Sequence, residues 1–308
     1  MKNEFYLTLV FTMVASLNSV CQDYNRANLI LVKGKKVAYQ AFGLETRKPG
    51  TPVIVFESGG GGGSFHQLFP LLFSSTSGIA YDRNGMGKSE PDSSIQSDEH
   101  VVRRLHDFLQ SLKVEPPYLL VGHSVGGAFI RLFTSVYPQE VAGLVFIDAT
   151  DFMLTKEEDS RVKKVSKSTT GYRELYYTML DKLSKDSLVP PGIRNESLRV
   201  RNANAVKYFA EYQALGPIPN VPTAVLIAYH RNREKSEAAL YKELKINEEP
   251  WWKELNNIRI QHFADLIKNN RDSRIILLPR YSHGIHHQDP NLVANVIIDI
   301  YKRSMNRD

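Results

Sequence analysis

Six short apolar runs constrain this chain more than any other feature: Pro52–Phe56, Gly78–Tyr81, Tyr118–Val121, Gly143–Ile147, Thr223–Ile227 and Arg274–Leu278. A strand with one wet face alternates apolar and polar residues. These runs are continuous, the pattern of strands buried on both faces in a parallel sheet covered by helices. Between them, Val101, Leu105, Phe108, Leu109 and Leu112 recur at helical spacing, and Val293, Val296, Ile297 and Ile300 repeat the pattern within Asn291–Tyr301. Strand and helix in alternation predict an open α/β sheet. Ahead of these runs, Ile30–Gly43 turns at Gly34 and is expected to form a hairpin of two edge strands.

One connection is too long for that scheme. About 75 residues separate Ile147 from Thr223, far beyond an ordinary crossover. An inserted cap over residues 151–221 accounts for them, leaving residues 22–150 and 222–308 as the two parts of one core. The insertion is charged and helix-favouring at first, breaks at Pro190-Pro191-Gly192 and exits through Gly216-Pro217-Ile218-Pro219. A chain of 308 residues suits one such sheet with an insertion.

Residues 1–21 read as an address. Lys2 precedes an apolar stretch from Phe5 to Leu17, and Ser19-Val20-Cys21 forms a small-residue end. That is a secretory signal pattern, too short for the roughly 20 residues of a membrane span. The expectation is a secreted or periplasmic protein with no stable membrane span once residues 1–21 are removed. Lipidation at Cys21 is the other reading, and Val20 argues against it. As the one cysteine, Cys21 rules out an internal disulfide and a structural thiolate zinc site. The net charge of +6, from 39 basic and 33 acidic residues, is not gathered into any basic block, so no nucleic-acid partner is expected.

The chemistry begins at Gly122-His123-Ser124-Val125-Gly126, which follows one apolar run and precedes a helix-like stretch. This is the strand–turn–helix context of a G-x-S-x-G nucleophile elbow. Gly122 and Gly126 remove Cβ atoms where neighbouring chains must approach closely, and Ser124 is presented at a helix start whose N–H groups favour negative charge. A serine hydroxyl needs a base, and His283 stands just after the run ending at Leu278, where it can reach Ser124. His286 and His287 are close by, but three histidines in one loop lack the spread and the carboxylate of a zinc site. Neither a metal nor a cofactor is expected. Gly87-Lys88-Ser89 resembles the tail of a phosphate-binding loop, but Asp82 stands where that motif needs glycine.

Four blocks together resemble the α/β-hydrolase superfamily over nearly all of the chain beyond residue 21. They are Phe56-Glu57-Ser58-Gly59-Gly60, Asp82-Arg83-Asn84-Gly85-Met86-Gly87-Lys88-Ser89, the elbow at Ser124, and Ser282-His283 through Asp289-Pro290. The resemblance implies a Ser-His-acid triad, a mostly parallel sheet with helices on both faces, and a helical cap inserted after the sixth strand. By family position, the oxyanion donors would be the backbone amides of Gly60 and Val125, with Ser58 replacing the usual histidine. Asp82 and Arg83 would be scaffolding at the border of the site.

The acid is the open member. Asp148 closes the run Gly143–Ile147, whereas Glu234 and Glu237 lie in a polar loop after Thr223–Ile227. A strand terminus holds a base-orienting carboxylate better than a long loop, which favours Asp148. The expected activity is hydrolysis of a small carboxylic ester or related acyl substrate through a serine acyl-enzyme. The alternatives are a cap-bearing aminopeptidase, with Glu157, Glu158 and Asp159 as candidate anchors for an amine, and a non-catalytic ligand-binding member of the same fold.

Overall fold

The computed structural model describes residues 27–205, 207–229, 235–270 and 272–305. The address segment with Cys21, and Glu234, lie outside the described residues. Eight strands form one sheet: β1 (Asn28–Val32), β2 (Lys35–Phe42), β3 (Val53–Ser58), β4 (Gly78–Tyr81), β5 (Tyr118–His123), β6 (Val141–Ile147), β7 (Thr223–Tyr229) and β8 (Ser273–Pro279). Their order is β1-β2-β4-β3-β5-β6-β7-β8. The pairs from β4 through β8 are parallel, and β2 is antiparallel to both β1 and β4.

Two-sided burial explains the continuous apolar runs. In β5, Tyr118 and Leu120 face one core, while Leu119 and Val121 face the other. Successive side chains of a strand point to opposite faces, so each face needs its own apolar set. On the first face lie helices α1 (Asp98–Ser111) and α2 (Val125–Val136). On the second lies α8 (Pro290–Met305), with the turns around Phe65, Leu68 and Leu72. Ser97 caps α1 by accepting from the His100 N–H, and Asp98 and Glu99 complement its dipole.

Two expectations need correction. Only β1 of the hairpin is an edge, because β2 is sealed on its other side by β4. The final run, Arg274–Leu278, is not buried on both faces. As β8 it is the opposite edge of the sheet, mostly half-exposed, with Leu277 facing solvent. Its apolar sequence reflects partial cover on each side, with Ile275 packing against the first core and Ile276 and Leu278 against the second.

Between β6 and β7 the chain leaves the sheet for three helices: α3 (Lys156–Ser166), α4 (Tyr172–Lys185) and α5 (Pro191–Asn204). Thr155 and Glu158 close a capping box on α3. Pro190-Pro191 starts α5 rather than merely interrupting the chain, since proline suits the first helical position, where no N–H is needed. The cap packs aromatics inward, including Tyr176, Tyr208, Phe209 and Tyr212, against the first core. Two further helices, α6 (Lys235–Glu243) and α7 (Glu248–Ile267), connect β7 to β8.

Cap and core are clamped by a histidine on α7. His262 Nδ1 lies 2.9 Å from Asp151 Oδ2, at the start of the insertion, and its Nε2 lies 3.1 Å from Glu158 Oε1 on α3. Burial alone would depress this imidazole, but Asp151 and Glu158 raise it to about 9. A folded-state value above the roughly 6.5 of an unfolded histidine gives stabilisation that is complete below that pH and lost as pH rises through 9. Urea melts of the wild type should therefore show unfolding free energy falling between about pH 6.5 and pH 9.5, by on the order of 3 kcal/mol at most. His262→Gln should flatten that slope, and a wild-type profile already flat over this window would contradict the clamp.

Candidate active site

The loop between β5 and α2 presents Ser124 in a conformation few residues tolerate. Its backbone sits at φ 57° and ψ −126°, sterically costly for a residue with a Cβ. Backbone hydrogen bonds hold it there. The Ser124 N–H donates to Ile147 O at 3.2 Å, while Ser124 O accepts from the N–H groups of Gly127 and Thr150, each at 3.0 Å. A Cβ on Gly126 would lie 2.2 Å from Glu57 O, and one on Gly122 would lie 2.6 Å from Gly126 O. The pentapeptide thus places glycine where β3, β5 and α2 leave no room for a side chain. The Ser124 hydroxyl does not cap α2 and makes no hydrogen bond to a described residue. Val125 opens the helix, so its N–H has no intrahelical acceptor.

Asp148 follows β6 directly, also at positive φ, 40°, and is buried. His283 lies on the segment after β8, and its Nδ1 donates to Asp148 Oδ2 at 2.7 Å. With Nδ1 as donor to a carboxylate, Nε2 of the neutral ring is left as the basic nitrogen. The sequence left Asp148 and the two glutamates open. The structure brings His283 to Asp148 and places Glu237 in the first turn of α6.

His123 holds the His283 backbone. Its Nε2 donates to the His283 carbonyl at 2.9 Å, and the two ring centroids are 4.6 Å apart. Burial, followed by repulsion from His283, pushes the His123 imidazole down to about 3, so it stays uncharged. The His286 ring lies tilted with its centroid 4.4 Å from that of His123, and the His287 ring lies tilted with its centroid 4.1 Å from that of His286. Among the described residues no group of three or more His, Cys, Asp or Glu side chains is arranged to hold a metal ion.

The glycine loop after β3 is pinned by two serines. The Ser58 and Ser64 hydroxyls lie 2.6 Å apart and reach Gly61 O at 2.9 and 2.6 Å. The Gly60 N–H donates to Ser58 Oγ at 3.2 Å, and Gly61 takes φ 81°, which its missing Cβ permits. Ser58, standing where the resemblance has a histidine, is therefore the organiser of this loop. Asp82 is likewise occupied within its own turn, where it accepts from the Lys88 N–H at 3.2 Å. The cap acids serve local structure. Glu158 completes the α3 capping box, and Asp159 accepts from the Tyr172 N–H at 2.7 Å at the start of α4.

One residue at this site escaped the sequence reading. Arg259 of α7 donates from Nη2 to Asp148 Oδ1 at 2.9 Å and to Ala149 O at 3.1 Å, and from Nη1 to Asn256 Oδ1 at 3.2 Å. Both members of the Arg259–Asp148 pair are nearly inaccessible, with side chains 7% and 2% exposed. The only available signal was its place at i+4 spacing in line with Trp251, Leu255 and Phe263. Removing one partner of a buried pair leaves the other uncompensated, a loss of about 3–5 kcal/mol. Arg259→Met should lower unfolding free energy by about that amount in urea melts. A loss under about 1 kcal/mol, the scale of an exposed pair, would show the contact to be incidental.

A family model described as alpha/beta hydrolase fold matches residues 52–177. The chain is similar to a 2-hydroxy-6-oxo-6-(2'-aminophenyl)hexa-2,4-dienoic acid hydrolase of Metapseudomonas resinovorans, 30% identical over 150 residues. That match covers 44% of this chain and 51% of the relative, about half of its length. It is also similar to the uncharacterized protein YqjL of Bacillus subtilis, 23% identical over 269 residues, covering 85% of this chain and 88% of that one. Among solved structures, a thermophilic esterase from Thermogutta terrifontis superposes with a TM-score of 0.56 at 16% identity, over 91% of this chain and 98% of that one. The sheet order, the strand-to-helix elbow and these matches agree on an α/β-hydrolase fold.

Proposed function

We propose that the protein is a serine hydrolase acting on a small carboxylic ester or related acyl substrate through an acyl-enzyme. The observation that carries this reading is a His283 ring bonded to buried Asp148 and centred 4.6 Å from the ring of His123, the residue preceding a strained Ser124 whose hydroxyl is uncommitted. The relatives support hydrolysis, one being named as a hydrolase and one as an esterase.

Ser124 Oγ attacks the acyl carbon while its proton passes to His283 Nε2, and the carbonyl oxygen becomes an oxyanion. The Val125 N–H at the start of α2 and the Gly60 N–H of the pinned loop are its donors, the latter exchanging Ser58 Oγ for substrate. As the carbon–oxygen bond to the leaving group breaks, His283 returns its proton to the departing alkoxide. Water then repeats the sequence, giving its proton to His283 and its oxygen to the acyl carbon, and Ser124 Oγ is released as the hydroxyl. Asp148 holds the tautomer and stabilises the imidazolium, and the Ser124–His283 hydrogen bond forms fully only with substrate in place.

Geometry weakens the aminopeptidase alternative, since Glu158 and Asp159 are committed to helix starts. The intact Ser124, His283 and Asp148 weigh against a non-catalytic binder. Export remains part of the proposal on the strength of residues 1–21. N-terminal sequencing of protein recovered outside the cytoplasm should begin at Gln22 or within a few residues of it, and protein retained in the cytoplasm with Met1 intact would contradict it.

A serine-directed fluorophosphonate should label the wild type at Ser124. Ser124→Ala should abolish both labelling and ester turnover, lowering kcat by about three orders of magnitude or more. Asp148→Asn should retain a folded chain and cut kcat by as much as roughly ten-thousand-fold, whereas Glu237→Gln should be nearly silent. Undiminished turnover in purified Ser124→Ala would end the serine mechanism.

A further inference from the structure

Five consecutive glycines, Gly59 to Gly63, make a loop with little stiffness of its own, yet an oxyanion donor must be fixed before the charge develops. The most heavily bonded side chain touching this loop is Arg83, which the resemblance leaves as scaffolding. Its Nε donates to Ser58 O at 3.0 Å and its Nη2 to Gly59 O at 3.2 Å. A peptide unit is planar, and its C=O and N–H point in opposite directions. Gly59 C=O and Gly60 N–H belong to one such unit. Gripping the Gly59 oxygen therefore sets the direction of the Gly60 N–H.

Arg83 is itself held from three sides. Glu57 Oε1 lies 3.1 Å from its Nε, the Phe129 ring centroid lies 4.9 Å from its Cζ, and its Nη1 donates to Glu196 Oε1. Glu196 sits on α5 of the cap. Arg199, one turn on, binds the same carboxylate at 2.7 Å and reaches Asp98 at the start of α1 at 2.8 Å. All of these charged side chains are buried. Burial would raise Glu196, but Arg83 and Arg199 hold its carboxyl down at about 2, so the cap's grip on Arg83 persists across the working pH range.

We propose that Arg83 is a positioning residue of the oxyanion loop, fixing the Gly59–Gly60 peptide, and that Glu196 of the cap holds Arg83 in register for that task. The inference rests on the serine reading above and deepens it by making the cap part of the machinery that prepares the donor. The arrangement suits a planar guanidinium, which presents a fork of donors at fixed angles, and not an ammonium point charge.

The test uses an activated ester and its thionoester, whose larger, weakly accepting sulfur profits little from an oxyanion donor. The wild type should prefer the ester by at least about tenfold. Arg83→Lys keeps the charge but loses the fork, and should lower kcat for the ester by roughly 100-fold, the size of losing one oxyanion donor, with KM changed less than about threefold. Glu196→Gln, which keeps shape and hydrogen bonding, should lose about tenfold in kcat. In both variants the ester preference should shrink toward unity, a change that general loosening of the fold would not produce. End-point fluorophosphonate labelling separates the two levels of the argument. Unlabelled wild type means that the serine reading has failed. Labelled wild type without an ester preference, or variants that keep both kcat and the preference, would overturn the positioning role while leaving Ser124 in place.

Discussion

The site depends on one buried carboxylate. Asp148 Oδ2 accepts from His283, and Oδ1 accepts from Arg259 and from the Ala228 N–H. These partners come from the segment after β8, from α7 and from β7, while Asp148 itself ends β6. Four separate parts of the chain therefore meet on two oxygens. A buried ionised carboxylate is tolerable only when paired and fully hydrogen-bonded, so the arrangement is all or nothing. Arg259 also has an electrostatic consequence. It shares the negative charge that His283 relies on in the proposed mechanism, so Asp148 serves more as a fixed orienter of the ring and less as a bare counter-ion.

Buried charge recurs wherever the cap meets the core. Glu57, Arg83, Glu196, Arg199 and Asp98 form a continuous network from β3 to α5 and on to α1, with Tyr81 and Tyr212 hydroxyls donating to its carboxylates at 2.6 and 3.0 Å. Burial raises the Glu57 carboxyl to about 7 against the pull of Arg83. Such networks add less net stability than packed apolar groups would, but they accept few alternative geometries. A cap attached only through aromatics such as Tyr176 and Phe209 could slide. One attached through Arg83, Arg199 and His262 is held in register over the elbow.

Much of this was legible in the sequence because its determinants are local. Continuous apolar runs marked β3 to β7, for two-sided burial leaves no polar position to interrupt them. The elbow was legible because Gly122 and Gly126 are required where backbone meets backbone, independently of anything remote. What the sequence could not reveal is which distant side chains converge. Arg259 lies 111 residues from Asp148, on a helix whose buried face, with Trp251, Leu255, Ile258 and Phe263, is interrupted by Asn256 and Arg259 itself. Such a helix has no clean apolar stripe, so neither its inward face nor its one buried cation stood out. The edge position of β8 was hidden for a related reason, since Arg274–Leu278 reads like its buried neighbours and only the sheet order shows that nothing pairs beyond it.

Ser58 is where local and distant determinants meet. Its hydroxyl joins Ser64 and Gly61 within the loop, and its carbonyl accepts from Arg83 outside it. A side chain reaching further, such as the histidine of the family pattern, would project from the loop rather than fold back into it. With serine, the loop is closed by its own short hydrogen bonds and then anchored once, through Arg83, to the cap. The same Ser58 hydroxyl oxygen accepts from the Gly60 N–H. In the proposed mechanism a substrate oxyanion must displace a neutral hydroxyl, an exchange that favours the charged acceptor, because a hydrogen bond to an ionised oxygen is roughly twice as strong as one to a neutral oxygen.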